Sequence, residues 1–258
     1  ASVGSIMFSW RLLLAHGDAR YADLIERTLY NVVATSPSAD GRAFYYANTL
    51  HQREVGTAPD PDQTVGRAES SLRAPWFSVS CCPGNVARTL ASLAAYVATT
   101  DDDGVQLHQH IPSRIRTTLP DGRLIELDVE TEYPHDGVIT VRVVTGEARP
   151  WTLTLRVPHW AGSATLEVDG EQRDVAPGSV SVTRAFARGD TITLTLPVEP
   201  RFTRPDPRID AVRGCVAVER GPEVLCVESV DVPRVAHVDN QRLDASHPPR
   251  ESGGHVVV

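Results

Sequence analysis

The sequence lacks several features that would assign it to a common class of protein. Its 258 residues include 25 Lys and Arg against 33 Asp and Glu, so the net charge is −8 and no basic excess is available to neutralise phosphates. No apolar run reaches the roughly 20 residues that cross a bilayer, and residues 1–5 lack the basic segment of a secretory signal. We therefore expect neither a nucleic-acid partner nor a membrane partner.

Cysteine is also scarce, with four in the whole chain. So few cannot form a disulfide scaffold, and a bridge between the adjacent Cys81 and Cys82 would be strained. For Cys215 and Cys226, which flank a turn at Gly221, a cross-strand bridge and two buried free thiols are both open. These features favour a reducing compartment, and we expect a cytoplasmic protein.

Helical periodicity is confined to the first 100 residues. Residues 6–14 and 19–36 place apolar side chains at helical spacing, and a Gly-Asp pair separates them. Residues 86–97 are rich in Ala and Leu and predict a buried helix with Asn85 as its cap.

Beyond residue 104 the pattern changes to alternation of apolar and polar residues. The runs are short, and turns such as Asp121-Gly122 and Asp169-Gly170 separate them. This pattern is typical of an antiparallel β-sandwich. The sequence therefore predicts a multidomain α+β chain, with helices over residues 1–100 and a β-sandwich region over residues 101–258.

The sharpest local feature is the Cys81-Cys82 pair directly ahead of the predicted helix. The unpaired amides and the dipole of a helix N-terminus favour negative charge, so a thiol there tends to have a lowered pKa. A thiolate can act as a nucleophile or as a zinc ligand. The structural alternative is that two small apolar side chains fill a gap, and spacing alone does not choose between the two.

Residues 76–88, which read WFSVSCCPGNVAR, resemble the signature of glycoside hydrolase family 127, the β-L-arabinofuranosidase family. In that signature a vicinal Cys pair, a Pro, an Asn and an Ala-Arg open a helix of the catalytic barrel. The other stretches that resemble the family are residues 17–31, 46–50, 155–161, 189–192 and 220–226. The resemblance thus runs along almost the whole chain.

This resemblance implies a fold and a mechanism. In the family an (α/α)6 barrel precedes β-sandwich domains, so residues 1–100 would be the C-terminal helices of that barrel. The first cysteine of the pair is the nucleophile and a zinc ligand, and the second is a ligand only. Carried over, Cys81 is the catalytic residue, and Cys81 and Cys82 bind Zn²⁺. The implied reaction is hydrolysis of an arabinofuranoside with retention through a thioglycosyl intermediate, where most retaining glycosidases use a carboxylate.

The resemblance also predicts an incomplete site. The family's other two zinc ligands, a Glu and a Cys separated by one residue, precede a stretch like Ala1-Ser2-Val3, and its acid/base Glu lies further upstream. The sequence also opens without an initiator Met. We expect a fragment that is inactive by itself, because two thiolates cannot complete a four-coordinate zinc site.

Tyr46 stands where the family has a Tyr that contacts the sugar near the nucleophile. Its phenol could hydrogen-bond a sugar hydroxyl or the thiolate, so Tyr46 is the implied substrate-binding residue. The alternative is a strand Tyr that packs its ring, and the neighbouring Tyr45 leaves the register open.

His108 and His110 lie two residues apart on a predicted strand. Both could face one side and grip a metal, but no carboxylate stands nearby in the sequence. We interpret them as a solvated pair.

The expected partner is a small-molecule or oligosaccharide substrate, and a homo-oligomer is compatible with the sequence. Two other functions stay open. One is a non-catalytic carbohydrate-binding or scaffolding β-sandwich module with a structural Cys pair. The other is a redox or metal sensor that uses the vicinal thiols.

Overall fold

The computed structural model describes residues 2–48, 59–67, 72–228, 232 and 237–258. Thr49 and Leu50, which end the family-like stretch at residues 46–50, lie outside the described residues. Apart from the first two residues, internal contacts divide the chain into two units. Unit 1 comprises residues 3–26 and 90–198, and unit 2 comprises residues 27–89 and 199–258.

Three α-helices occupy the described part of the first 100 residues. They are α1 (Ser2–His16), α2 (Ala19–Thr28) and α3 (Cys81–Ala91). A π-helix over Leu29–Val33 continues α2, and a 3-10 turn over Leu93–Tyr96 follows α3. Gly17, at a φ of 67°, ends α1 in the left-handed conformation that glycine adopts without strain. Three helices are present as predicted, and the (α/α)6 barrel stays a prediction. The buried helix predicted over residues 86–97 is wrong in burial and length, because α3 ends at Ala91 and Thr89 is its one buried residue.

Helix α3 begins earlier than the sequence predicts. Cys81 and Cys82 are its first residues, and Asn85, the predicted cap, lies inside the helix, where its carbonyl accepts a hydrogen bond from Thr89 Oγ1 at 2.8 Å. Pro83 is tolerated in the first turn, because the amides there have no partner within the helix. The Cys pair is thus part of the first turn and does not precede it.

Strands dominate the rest of the described chain. They are β1 (Ala98–Thr100), β2 (Gly104–Leu107), β3 (Ser113–Thr118), β4 (Leu124–Thr131), β5 (Val138–Val143), β6 (Trp151–Val157), β7 (Ala164–Val168), β8 (Glu171–Val175), β9 (Gly178–Arg184), β10 (Thr191–Thr195), β11 (Pro200–Thr203), β12 (Ala217–Arg220), β13 (Glu223–Leu225), β14 (Arg250–Ser252) and β15 (His255–Val257). The change from helices to strands near residue 100 is as predicted. The limits of 1–100 and 101–258 for two domains stay a prediction.

Unit 1 contains two sheets. One has four strands in the order β1-β2-β6-β9, and the other has six in the order β3-β4-β5-β10-β7-β8. Along β6 the residues Trp151, Leu153, Leu155 and Val157 are buried, as a strand with one face in the core requires. Unit 2 carries a sheet in the order β11-β12-β13 and the hairpin β14-β15.

The β2–β6 pair departs from the expected antiparallel arrangement, because these two strands run parallel. Parallel neighbours need a long crossover, and here the chain makes β3, β4 and β5 of the other sheet between them. The approach is close at Gly104, where an added Cβ would lie 1.9 Å from the Thr152 carbonyl oxygen. Glycine is therefore required at the start of β2.

None of the helices in the described ranges combines the length and apolar character needed to cross a membrane.

Candidate functional site

The two cysteines of the first turn of α3 differ in exposure. Cys81 is exposed and Cys82 is half-buried, and both are free thiols. A solvent-accessible sulfur on a helix N-terminus is placed to meet a ligand, whereas its neighbour faces the protein interior. The two cysteines therefore differ in their access to solvent.

Cys82 packs against a small aromatic cluster in unit 2. The buried members of this cluster are Phe44, Ala74 and Phe77, and Tyr46 also packs against it. The ring centroids of Tyr46 and Phe77 are 5.6 Å apart at an interplanar angle of 50°. The structure thus brings Tyr46 and Cys82 to the same cluster, although they are distant in sequence.

Backbone hydrogen bonds fix the segment that leads into α3. Phe44 and Ala74 exchange amide-to-carbonyl bonds of 3.0 and 3.1 Å, and Ser78 donates its amide to the Val65 carbonyl at 2.8 Å. The segment therefore pairs with two other parts of the chain just before Cys81. This pairing orients the first turn of α3.

The electrostatics of the pair differ from the sequence-based expectation. Burial raises the pKa of the Cys82 thiol, and the adjacent Cys81 sulfur raises that pKa further through its charge and a hydrogen bond. The expectation of a lowered thiol pKa is thus wrong for Cys82 in the protein without metal. The reason is that desolvation and a second sulfur outweigh the helix terminus at this position.

The donor set fits zinc in part. Two cysteine sulfurs on one turn are ligands that Zn²⁺ prefers. Within the described ranges, no group of three or more His, Cys, Asp or Glu side chains lies together so as to hold a metal ion. Cys81 and Cys82 therefore fit as half of a four-coordinate site, and the zinc ligation, the catalytic role of Cys81 and the role of Tyr46 stay predictions.

The other two cysteines match neither alternative that the sequence left open. Cys215 and Cys226 are exposed and form no disulfide, so neither a bridge nor a buried thiol describes them. Trp76 is 52% exposed and contacts Phe44 edge to face at a centroid distance of 6.2 Å.

Sequence reasoning missed a buried ion cluster in unit 1. Arg156 of β6 donates to Asp23 Oδ1 at 2.6 Å and to Glu26 Oε1 at 2.5 Å, both on α2. Tyr133 Oη donates to Glu26 at 2.8 Å, and His159 Nδ1 lies 2.5 Å from Asp23 Oδ2. The available signal was the spacing of Asp23 and Glu26, three residues apart on one helix face.

The interpretation of His108 and His110 as a solvated pair is wrong. His110 is 2% exposed and its Nε2 lies 3.0 Å from the Arg156 carbonyl oxygen, while His108 Nε2 lies 2.8 Å from Thr99 Oγ1. Burial, together with the Arg156 charge, lowers the pKa of His108 to about 4 and that of His110 to about 3. The two imidazoles are thus neutral parts of the fold.

Known proteins similar to this chain are enzymes that cleave glycosides. A curated non-reducing end β-L-arabinofuranosidase of Bifidobacterium longum subsp. longum is 34% identical over 243 residues, which are 90% of this chain and 35% of that protein. Among solved structures, a glycoside hydrolase superimposes with a TM-score of 0.81 at 31% identity, over 93% of this chain and 39% of the other. A family 127 β-L-arabinofuranosidase from Geobacillus stearothermophilus T6 gives a TM-score of 0.75 at 32% identity, over 86% of this chain and 35% of the other.

The fold and these relatives place the chain among the glycoside hydrolases. The β-L-arabinofuranosidase GH127 catalytic-domain model matches residues 1–95, the GH127 middle-domain model matches residues 104–198, and the family's C-terminal-domain model matches residues 200–252. The chain belongs to glycoside hydrolase family 127. It spans between 35% and 39% of the length of these three relatives.

Proposed function

We propose that the protein containing this chain hydrolyses arabinofuranosides with retention of configuration, and that the Cys81 sulfur is its nucleophile. The observation that carries the proposal is an exposed thiol in the first turn of α3, next to a Cys82 that packs on the same cluster as Tyr46. The substrate class follows from the relatives, which are named β-L-arabinofuranosidases.

The chemistry assigned to Cys81 is a double displacement. Its sulfur attacks the anomeric carbon while the bond from that carbon to the leaving oxygen breaks, and a general acid protonates that oxygen. Water then attacks the same carbon and gives a proton to the conjugate base of that acid, the carbon–sulfur bond breaks, and the thiolate is regenerated. Two inversions give net retention.

Cys81 and Cys82 would hold Zn²⁺, which keeps sulfur deprotonated at neutral pH and fixes its direction. The protein itself supplies the placement. Cys82 is anchored against the aromatic cluster, and the pairing of Phe44 with Ala74 holds the approach to the first turn. Exposed Cys81 is the member of the pair that is free to reach a sugar.

Tyr46 is assigned to the sugar. Its ring is fixed by Phe77, so its phenol has a defined direction, and a phenol can donate to or accept from a sugar hydroxyl. Tyr45 takes a different role, because the Arg73 guanidinium stacks over its ring at 4.4 Å. This contact of Tyr45 supports assigning the sugar to Tyr46.

The test compares two cysteine variants of the full-length protein. Cys81→Ser should lower turnover of para-nitrophenyl β-L-arabinofuranoside by on the order of 10³-fold or more, because an alcohol is a far weaker nucleophile. Cys215→Ser removes another exposed free thiol of the same unit and should leave turnover unchanged.

A second measurement identifies the attacking atom. Acid quenching during turnover, followed by trypsin and mass spectrometry, should find a pentosyl adduct on the peptide of residues 74–88, and Cys81→Ser should abolish the adduct. Unaltered turnover by Cys81→Ser would sink the proposal. A wild-type protein that binds arabinofuranosides without cleaving them would favour the binding-module alternative.

A further inference from the structure

A row of polar side chains crosses the four-stranded sheet of unit 1. Thr99 of β1 pairs with Gln106 of β2, Gln106 pairs with Thr154 of β6, and Thr154 pairs with Ser181 of β9. Partners in register point to the same face of a sheet, about 4.8 Å apart. Thr99 donates to Gln106 at 2.8 Å, and the hydroxyls of Thr154 and Ser181 are also 2.8 Å apart.

This face of the sheet is only partly covered. The opposite face of β6 carries Leu153 and Leu155 and forms the core, whereas Arg156 lies on the polar face and is buried under α2. Next to Arg156 a cavity of about 220 Å³ opens. The polar side chains that line it come from the sheet and its edges: Thr99, Thr100, Asp101, Gln106, His108, Thr154, Arg156 and Ser179.

The helices contribute apolar side chains to the lining. Leu13 and Leu14, at the end of α1, line the cavity together with Ala19 at the start of α2. The cavity therefore offers hydrogen-bonding groups from the sheet and hydrocarbon from the helices. A sugar ring has the matching character, because its hydroxyls lie at its edges and its C–H groups form an apolar face.

The charges around the cavity disfavour an anion. The Arg156 guanidinium is already committed to Asp23 and Glu26, and its Nε donates to the His108 carbonyl at 2.5 Å. Asp101 adds a carboxylate to the lining. Burial lowers the pKa of His108 to about 4, so its imidazole is neutral near pH 7 and offers one donor and one acceptor.

The volume limits the size of a ligand. Pockets for drug-sized ligands usually exceed about 300 Å³, and this cavity is smaller. The cavity therefore suits a ligand smaller than a drug-sized molecule.

We propose that this cavity is a second carbohydrate site, which binds one neutral monosaccharide unit between the polar row and Leu13 and Leu14. It lies wholly in unit 1, whereas Cys81 belongs to unit 2. It is therefore assigned to holding a glycan and not to cleaving it.

The test uses two neighbouring threonines of β6 in the full-length protein. Thr154 lines the cavity and bonds to Ser181, while Thr152 lies two residues away on the same face and bonds to Thr183 at 2.9 Å. Isothermal titration with L-arabinose should show a Kd about tenfold higher for Thr154→Val, since one lost hydroxyl contact has about this effect. Thr152→Val should stay within about twofold of wild type.

Further arms separate this site from the proposed active site. Thr154→Val should leave the turnover of para-nitrophenyl β-L-arabinofuranoside unchanged. Cys81→Ser should retain the binding step for L-arabinose that Thr154→Val weakens. D-galacturonate, an anionic sugar, should bind the wild type at least about tenfold more weakly at that step. Ser179→Leu, at an exposed position of β9, should narrow the cavity and remove the step even if Thr154→Val folds poorly.

The inference fails if Thr154→Val and Thr152→Val give the same isotherm. It also fails if the galacturonate isotherm matches that of L-arabinose, or if the wild type shows no step that Thr154→Val or Ser179→Leu weakens.

Discussion

Each unit attaches its part of α2 to a strand through a buried ion cluster, and the two clusters are opposite in charge. In unit 1 the centre is a cation, Arg156, whose side chain is 1% exposed, and its partners Glu26 and Asp23 are 2% and 19% exposed. In unit 2 the centre is a carboxylate, Glu219, which is 3% exposed, whereas its partners Arg27 and Arg201 are 50% and 25% exposed.

The two clusters differ in how far the partners of the central residue are exposed to water. If Arg156 is removed, Glu26 stays buried without its cation, and a buried uncompensated charge is costly. If the charge of Glu219 is removed, Arg27 and Arg201 can turn to solvent, which screens them. A cluster with buried partners is therefore less tolerant of loss than one with exposed partners.

The largest expected effect comes from breaking the unit 1 cluster. Arg156→Met should lower the free energy of unfolding of unit 1 by about 3–5 kcal/mol, because Glu26 loses its buried partner. Denaturant titration, combined with hydrogen exchange of the α2 and β6 amides, measures this loss. The double variant Glu26→Gln with Arg156→Met should recover part of it. A single variant no worse than Arg208→Ala, whose arginine is 87% exposed, would contradict the comparison.

Lowering the pH should have an intermediate effect on folding stability, and unit 1 should lose stability before unit 2. His108 and His110 have pKa values of about 4 and about 3, below the ordinary value near 6.5 of the unfolded chain. A depressed histidine pKa means that the unfolded state binds the proton first. Stability is therefore complete above pH of about 6.5 and falls below it, by up to about 1.4 kcal/mol per pH unit for each histidine.

Hydrogen exchange of unit 1 and unit 2 amides between pH of about 7 and about 5 tests this order. The described histidines of unit 2, His237, His247 and His255, are exposed, so unit 2 serves as the internal reference. His108→Gln should flatten the response of unit 1, and His247→Gln should not. Equal pH dependence of both units would refute the assignment.

The smallest effect is expected at the centre of the unit 2 cluster. Glu219→Gln should cost about 1–2 kcal/mol, less than Arg156→Met, because its arginine partners reach solvent. Burial alone would raise the pKa of Glu219, but Arg27 and Arg201 hold it below the ordinary value. The contribution of its charge is therefore present at neutral pH and lost as the pH falls below about 4.5, and Glu219→Gln should remove that acid-range loss. A cost equal to that of Arg156→Met would overturn the ranking.

Local patterns predicted the elements of the fold, but not which elements pair. Alternation along β6 marks Leu153 and Leu155 as core, and Gly17 marks the end of α1, because both signals lie within a few residues. The parallel partnership of β2 and β6 depends on residues far apart in the chain. The same limit applies to Arg156, which alternation assigns to solvent and which α2 buries.

The candidate site shows the same division. The Cys pair and its place at a helix start could be read from the sequence, and so could Tyr46 through the resemblance. Cys82 is half-buried because it packs, like Tyr46, against the aromatic cluster. That cluster depends on the pairing of Phe44 with Ala74. That pairing has no short-range signal, since Phe44 and Ala74 are thirty residues apart.

The parallel pairing of β2 with β6 has a consequence for synthesis on the ribosome. Strand β2 is translated before β3, β4 and β5, so the edge of β2 that pairs with β6 stays hydrated while three strands of another sheet are translated. Asp23 and Glu26 likewise lack their partner until Arg156 has been translated. The ion pairs between α2 and β6 therefore cannot form before β6 has left the exit tunnel. The nascent chain acquires these helix–sheet contacts late and together.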